Sequence, residues 1–347
     1  MGRNLQRITS ASSSSPTGRR AGLPGAIRRS WALLPALLLL VIFMRPDTRA
    51  AAGDIRCANT QLQVLGSGGP ELDDGRRSSA YLLWLDGRAR VLLDAGSGSS
   101  VAFGAAGADF ADLEAILLSH LHTDHAGDVP AFIKGSFFTG RDRDLIIAGP
   151  AGNQRMPATA TFVDRLMGPD GAFRYLNGYL QAGRERYTLK PQTMSADARG
   201  RLDGPAWRAR SLPVTHGPIP AIAWRLEMER CVVVYSGDMS GVERDFDAFA
   251  AGADLLILHA AIPEDAAAPP RALHMTPAEL LAVADRLAPR RVLISHFMKR
   301  SETAASQLLT TTVPAVLARD GLVLELGGPV ADDAGGGARR ASRPHGQ

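Results

Sequence analysis

The chain has 347 residues, 45% hydrophobic and 21% charged, the balance of an ordinary globular protein with one large domain or two small ones. Its net charge of +4 is unevenly placed: residues 1–52 hold eight arginines and one aspartate, a net of +7, which leaves −3 for residues 53–347. A mildly acidic body argues against a phosphate-backbone binder driven by counterion release.

Residues 1–30 carry six arginines, no acid and a serine run. An unbroken apolar stretch follows over 31–44, Arg45 ends it, and Ala50, Ala51 and Ala52 supply small residues. A basic region, an apolar region and an A-x-A site predict an export leader over 1–52 and a periplasmic or secreted protein. Fourteen apolar residues fall short of the roughly twenty that span a bilayer, so a membrane enters only if the leader stays uncleaved as an anchor. Arg28 and Arg29 faintly resemble a twin-arginine signal; the general secretory route is the alternative. Residues 53–328 are expected to form the domain. Residues 329–347, rich in Gly, Ala and Arg, are expected to be a disordered tail. Cys57 and Cys231 are the only cysteines. Export would permit a bridge, but each is on or beside a predicted strand, and the expectation is a buried free thiol at both.

Residues 61–65 alternate as a strand and break at the glycine loop 66–70. Residues 80–85 and 90–94 read as a hairpin over Asp86-Gly87, ending at Asp94-Ala95-Gly96. Residues 113–119 form a short apolar strand that runs into SHLHTDHAGD, residues 119–128. His120 and His122 alternate by two, so an extended backbone points both to one side. Asp124 and His125 follow at once. Three of the chain's eight histidines fall in six positions, and imidazole with carboxylate is a donor set for zinc, iron or manganese.

A strand over 144–150 follows, then a helical stretch over 157–186, interrupted at Gly168-Pro169, whose apolar stripe reads as core. The strand over 206–214 ends at Thr215-His216-Gly217. Residues 221–226 and 231–235 form a hairpin that leads into Ser236-Gly237-Asp238. Residues 254–259 are a buried strand ending at His259. His274 precedes a helix with Thr276 as N-cap, Pro277 at N1 and Glu279 completing a capping box. Residues 291–295 are a strand ending at His296.

The pattern His120-x-His122-x-Asp124-His125 resembles the H-x-H-x-D-H signature of the metallo-β-lactamase superfamily, and the likeness extends from about Thr60 to Gly328. The resemblance implies an α/β fold, a four-layer αββα sandwich. It implies a first metal on His120, His122 and His216, a second on Asp124, His125 and His296, and Asp238 bridging the two. Asp94 would orient a ligand histidine. His274 resembles the His-x-Thr/Ser element of ribonuclease Z-like and arylsulfatase-like members, where that histidine donates a proton; a helix-capping surface histidine is the plainer reading. Members of that branch carry an acid after the histidine of the 254–259 strand. Ala260 stands there, which leaves His259 open between a supporting role and none.

The implied activity is an exported dinuclear hydrolase of small anionic esters, phosphodiesters or aryl sulfates. A hydroxide shared by two divalent ions, zinc before manganese or iron, would be the nucleophile, with Asp124 accepting its proton. Four alternatives stand beside it: a lactone or β-lactam amide hydrolase, a ribonuclease Z-like endonuclease, an iron-dependent redox member, and a non-catalytic binding protein. Nucleic acid is disfavoured by charge and by the short hairpin at 226–231, near which tRNA-binding members insert a long basic arm. Dimers are common in this branch, so the resemblance admits a homodimer, while the sequence itself leaves the oligomeric state open.

Overall fold

The computed structural model of the protein describes residues 56–195 and 200–328; the expected leader and the expected tail lie outside them. The alternating and apolar runs form strands where two faces can be buried. In chain order these are β1 (Thr60–Gly66), β2 (Ala80–Leu85), β3 (Arg88–Leu93), β4 (Ala115–Leu117), β5 (Leu145–Gly149), β6 (Leu189–Thr193) and β7 (Arg201–Asp203). They continue as β8 (Arg208–His216), β9 (Ile219–Met228), β10 (Cys231–Tyr235), β11 (Leu255–His259), β12 (Val292–Ser295), β13 (Ala315–Leu317) and β14 (Val323–Glu325).

Two seven-stranded sheets result, ordered β14-β1-β2-β3-β4-β5-β6 and β13-β12-β11-β10-β9-β8-β7. Each combines an antiparallel set (β1 to β3, β8 to β10) with a parallel run (β3 to β6, β10 to β13). Helices flank the two mixed sheets, the α/β sandwich that the motif implied. Large side chains lock the sheets face to face. The Trp224 indole of β9 donates across the gap to the Leu118 carbonyl at 3.0 Å, and Tyr81 of β2 packs on Tyr235 of β10 with ring centres 5.3 Å apart. Parallel strands share one direction, so the loops leaving β3, β4, β10, β11 and β12 gather at one edge, where such sheets hold ligands.

The interruption read at Gly168-Pro169 is present: a helix covers Thr159–Met167, and after it the stretch resumes only as a 3-10 segment over Arg174–Leu180. Proline lacks the amide that an unbroken helix needs. The cysteines are not free thiols. Cys57 and Cys231 are bridged, and both are buried. The bridge ties the turn before β1 to the start of β10, 174 residues away in sequence. A loop that long makes the bridge a large constraint on the unfolded chain. Reduction is expected to lower the unfolding free energy by about 2–5 kcal/mol. Guanidinium denaturation with and without reductant measures it, and equal midpoints would show that the bridge contributes nothing.

Candidate metal centre

β4 ends at Leu117, and the chain then passes His120 and His122 in extended form before a single helical turn, Thr123–Ala126. The extended segment sends His120 and His122 to one point; the turn sends Asp124 and His125 to a neighbouring one. Asp94, at the end of β3, pins the loop from below. Its Oδ1 accepts the Ser119 amide at 2.6 Å and its Oδ2 accepts the Ser119 hydroxyl at 2.7 Å. His216 arrives at the end of β8, Asp238 after β10 and His296 after β12. His296 holds a left-handed backbone, φ 60°, which is costly for a non-glycine residue and persists where the surroundings enforce it. Gly69 leaves room for the ring: a Cβ there would stand 2.8 Å from His296 Cε1.

Two nitrogen clusters form. In one, His120 Nε2 lies 3.0 Å from His122 Nδ1, which lies 3.3 Å from His216 Nε2. In the other, His125 Nε2 lies 3.2 Å from His296 Nε2, and Asp124 Oδ2 is 3.4 and 3.3 Å from those two nitrogens. Asp238 Oδ2 sits between the clusters, 3.5 Å from both His125 and His296, 3.8 Å from His120 and 3.9 Å from His216. All seven residues named from the sequence are therefore brought together.

The donor chemistry fits divalent ions. The outer nitrogens of two rings are already used as donors, His216 Nδ1 to the Leu273 carbonyl at 2.8 Å and His125 Nδ1 to Asp94 Oδ2 at 2.6 Å. Their facing nitrogens are then lone pairs. Tetrahedral zinc with bonds of about 2.0–2.1 Å sets its nitrogen ligands about 3.3 Å apart, the spacing seen here. Burial holds His120, His122 and His216 below the usual imidazole pKa, hence neutral and able to ligate. At His125 burial pulls the same way, but Asp124, Asp238 and Asp94 outweigh it and raise the pKa. The field at the second cluster thus favours positive charge.

His274 is not a surface cap. Thr276 caps the Pro277–Leu287 helix, with Glu279 closing the box. The His274 side chain is only 12% exposed, with Nδ1 3.8 Å from Asp238 Oδ2. Its ring centre is 5.3 Å from that of His216 and 5.7 Å from that of His296. The sequence reading missed Tyr81 and Tyr235 and left His259 undecided. The Tyr235 hydroxyl donates to Asp94 Oδ2 at 2.5 Å. His259 Nδ1 meets Asp238 Oδ1 at 2.6 Å, and Tyr81 meets His259 Nε2 at 2.9 Å. The only signal for the tyrosines was a polar tip on an otherwise apolar buried strand.

On the His296 side the loop after Gly69 presents Glu71 and Asp73, both engaged by Lys299. On the His216 side lies a cavity of about 310 Å³. Pro150, Pro213, Pro218, Pro220 and Ile219 help to line it, and among the described residues its lining includes no charged one.

A family model described as the β-lactamase superfamily domain matches residues 89–297. Ribonuclease Z of Mycolicibacterium paratuberculosis (strain ATCC BAA-968 / K-10) is 31% identical over 255 residues, covering 69% of this chain and 86% of that protein. Among solved structures, the short form of human tRNase Z superposes with TM-score 0.60 at 20% identity, over 77% of this chain and 99% of that one. The metallo-β-lactamase fold protein YhfI from Bacillus subtilis gives 0.59 at 20% identity, over 76% and 98%. The two structural likenesses speak for the fold alone.

Proposed function

The chain belongs to the metallo-β-lactamase superfamily as a metal-dependent hydrolase, and from that premise we propose an exported, dinuclear hydrolase of small phosphodiesters. The observation that carries it is Asp238 Oδ2, set within 4 Å of ring nitrogens from both clusters. In this reading His120, His122 and His216 hold one ion, Asp124, His125 and His296 the other, and Asp238 both. Zinc suits the all-nitrogen first cluster best. Bound ions supply Lewis acidity to the ester oxygen and lower the pKa of water. The protein's own residues do the rest. Asp124, held ionised by His125 and His296 against the effect of burial, accepts a hydrogen bond from the attacking water and orients it. Asp94 keeps His125 in the tautomer that faces inward. His274 stands where the departing oxygen needs a proton.

The cavity, whose described lining is uncharged, and the acidic residues of the loop after Gly69 support a small ester over a polyanion. So does the turn between β9 and β10, where only Glu229 and Arg230 separate the strands and no basic arm is inserted. The disulfide and the basic-apolar leader support export, since bridges persist in oxidising compartments. A ribonuclease Z-like endonuclease is the second reading, favoured by the 31% identity to a ribonuclease Z. Purified residues 53–347, with metal content verified, should turn over bis-p-nitrophenyl phosphate in preference to p-nitrophenyl sulfate, a homoserine lactone or a cephalosporin. His122→Ala should abolish that turnover. Cleavage of a tRNA precursor without phosphodiester turnover would select the second reading. Turnover of the lactone or cephalosporin alone would reject both.

A further inference from the structure

We propose that Tyr81 and His259 form a positioning pair that dedicates one oxygen of Asp238 to the protein and so leaves the other to both ions. This rests on the dinuclear reading above. The Tyr81 hydroxyl is 2.9 Å from His259 Nε2, and His259 Nδ1 is 2.6 Å from Asp238 Oδ1. All three side chains are buried. A neutral imidazole has one donor and one acceptor nitrogen. Asp238 is a carboxylate and can only accept, so Nδ1 carries the hydrogen and Nε2 must accept. A tyrosine hydroxyl is the donor that satisfies it. With the tautomer reversed, a lone pair and a carboxylate oxygen would meet at 2.6 Å. Tyr81 thus selects the His259 tautomer, and His259 fixes the rotation of the carboxylate that presents Oδ2 to both clusters.

Three further features support this assignment. The pair is uncharged; a lysine or arginine in its place would neutralise the carboxylate that the ions need. It also spans the sandwich, with Tyr81 on β2 of one sheet, and His259 at the end of β11 and Asp238 after β10 in the other. The bridging oxygen is therefore set by the packing of the two sheets. Finally, the position after His259 is Ala260, so no neighbouring acid competes for the ring. His259 lies close enough to His125, Asp238 and His296 to be considered a ligand, yet both its nitrogens are engaged.

The test is metal affinity, read by competition with a chromophoric chelator for Zn²⁺ and by the visible spectrum of the Co²⁺-loaded protein, alongside melting curves. The wild-type protein should bind two ions. His259→Ala should weaken the less tightly held ion by about 10–100-fold, and His259→Asn, whose amide can still donate to Oδ1, should recover most of that loss. Tyr81→Phe, which removes no contact to Asp238 or to any ion, should weaken the same ion by about tenfold and alter the Co²⁺ spectrum. Wild-type affinity for both ions in Tyr81→Phe overturns the pair even if His259→Ala fails to fold. An effect of His259→Ala with none from Tyr81→Phe makes His259 a ligand and also overturns it. Fewer than two ions in the wild type overturns the dinuclear reading, and the pair's task with it.

Discussion

Asp238→Ala is expected to cost at least about 10²–10³-fold in kcat on bis-p-nitrophenyl phosphate, the scale seen when one preorganised charged contact is removed from a closed site. It is also expected to reduce bound metal below two equivalents. Among the described residues Asp238 is the one carboxylate placed within 4 Å of ring nitrogens from both clusters, and it is buried. The electrostatics point the same way. Burial raises a carboxyl pKa, but His296, His125 and His274 around Asp238 outweigh it and hold the group well below the carboxylate range. Deleting it would leave two cations among imidazoles with Asp124 alone in direct reach and Asp94 behind His125 to offset them, and like charges at short range in a buried site repel strongly. Asp238→Asn keeps the volume and the hydrogen-bond acceptor for His259 while removing the charge. If Asp238→Asn retained two tightly bound ions and near wild-type turnover, the bridging role would be wrong.

His274→Ala should produce a loss that depends on the leaving group. General acid catalysis contributes about 10²–10⁴-fold where the departing oxygen is strongly basic, and little where it leaves unassisted. The expected loss is therefore of that order for a methyl or ethyl leaving group and under about tenfold for p-nitrophenolate. Burial pushes the His274 pKa down to about 4, partly offset by Asp238. The ring is thus neutral in the free protein near pH 7, and an anionic ester beside it provides the charge that draws a proton on. Helix capping does not enter the comparison, because Thr276 and Glu279 supply the cap without His274. Equal losses on both substrates would make His274 a binding or packing residue and would remove the assigned proton donor.

The parts of this protein that were legible in the sequence are those whose geometry is local. The alternation of His120 and His122, with Asp124 and His125 following, is a local pattern, and it places four donors on one loop whatever the rest of the chain does. The capping box of Thr276 and Glu279 lies within four residues and formed as read. Strands with two buried faces, such as 80–85 and 254–259, read correctly because their apolar runs are short and bounded by polar or turn residues. The three-residue strands β7, β13 and β14 did not, because each is a strand only through the neighbour it pairs with. Residues 157–186 read as helical with an interruption at Gly168-Pro169, and the backbone breaks there, where proline removes an amide.

The sequence by itself determined the donor types, the strand-end loops that carry them and the superfamily, because side-chain chemistry and short spacings do not depend on what the chain later meets. Only the tertiary structure decided the pairings. It joined Cys57 to Cys231, buried His274 against the clusters, and linked Tyr81 through His259 to Asp238. The partners in these contacts come from strands and loops far apart in the chain, and pattern within a segment carries no information on which strand ends will share an edge. The packing of one sheet on the other carries that information, and it gathers five histidines from separate loops into two clusters around one carboxylate oxygen.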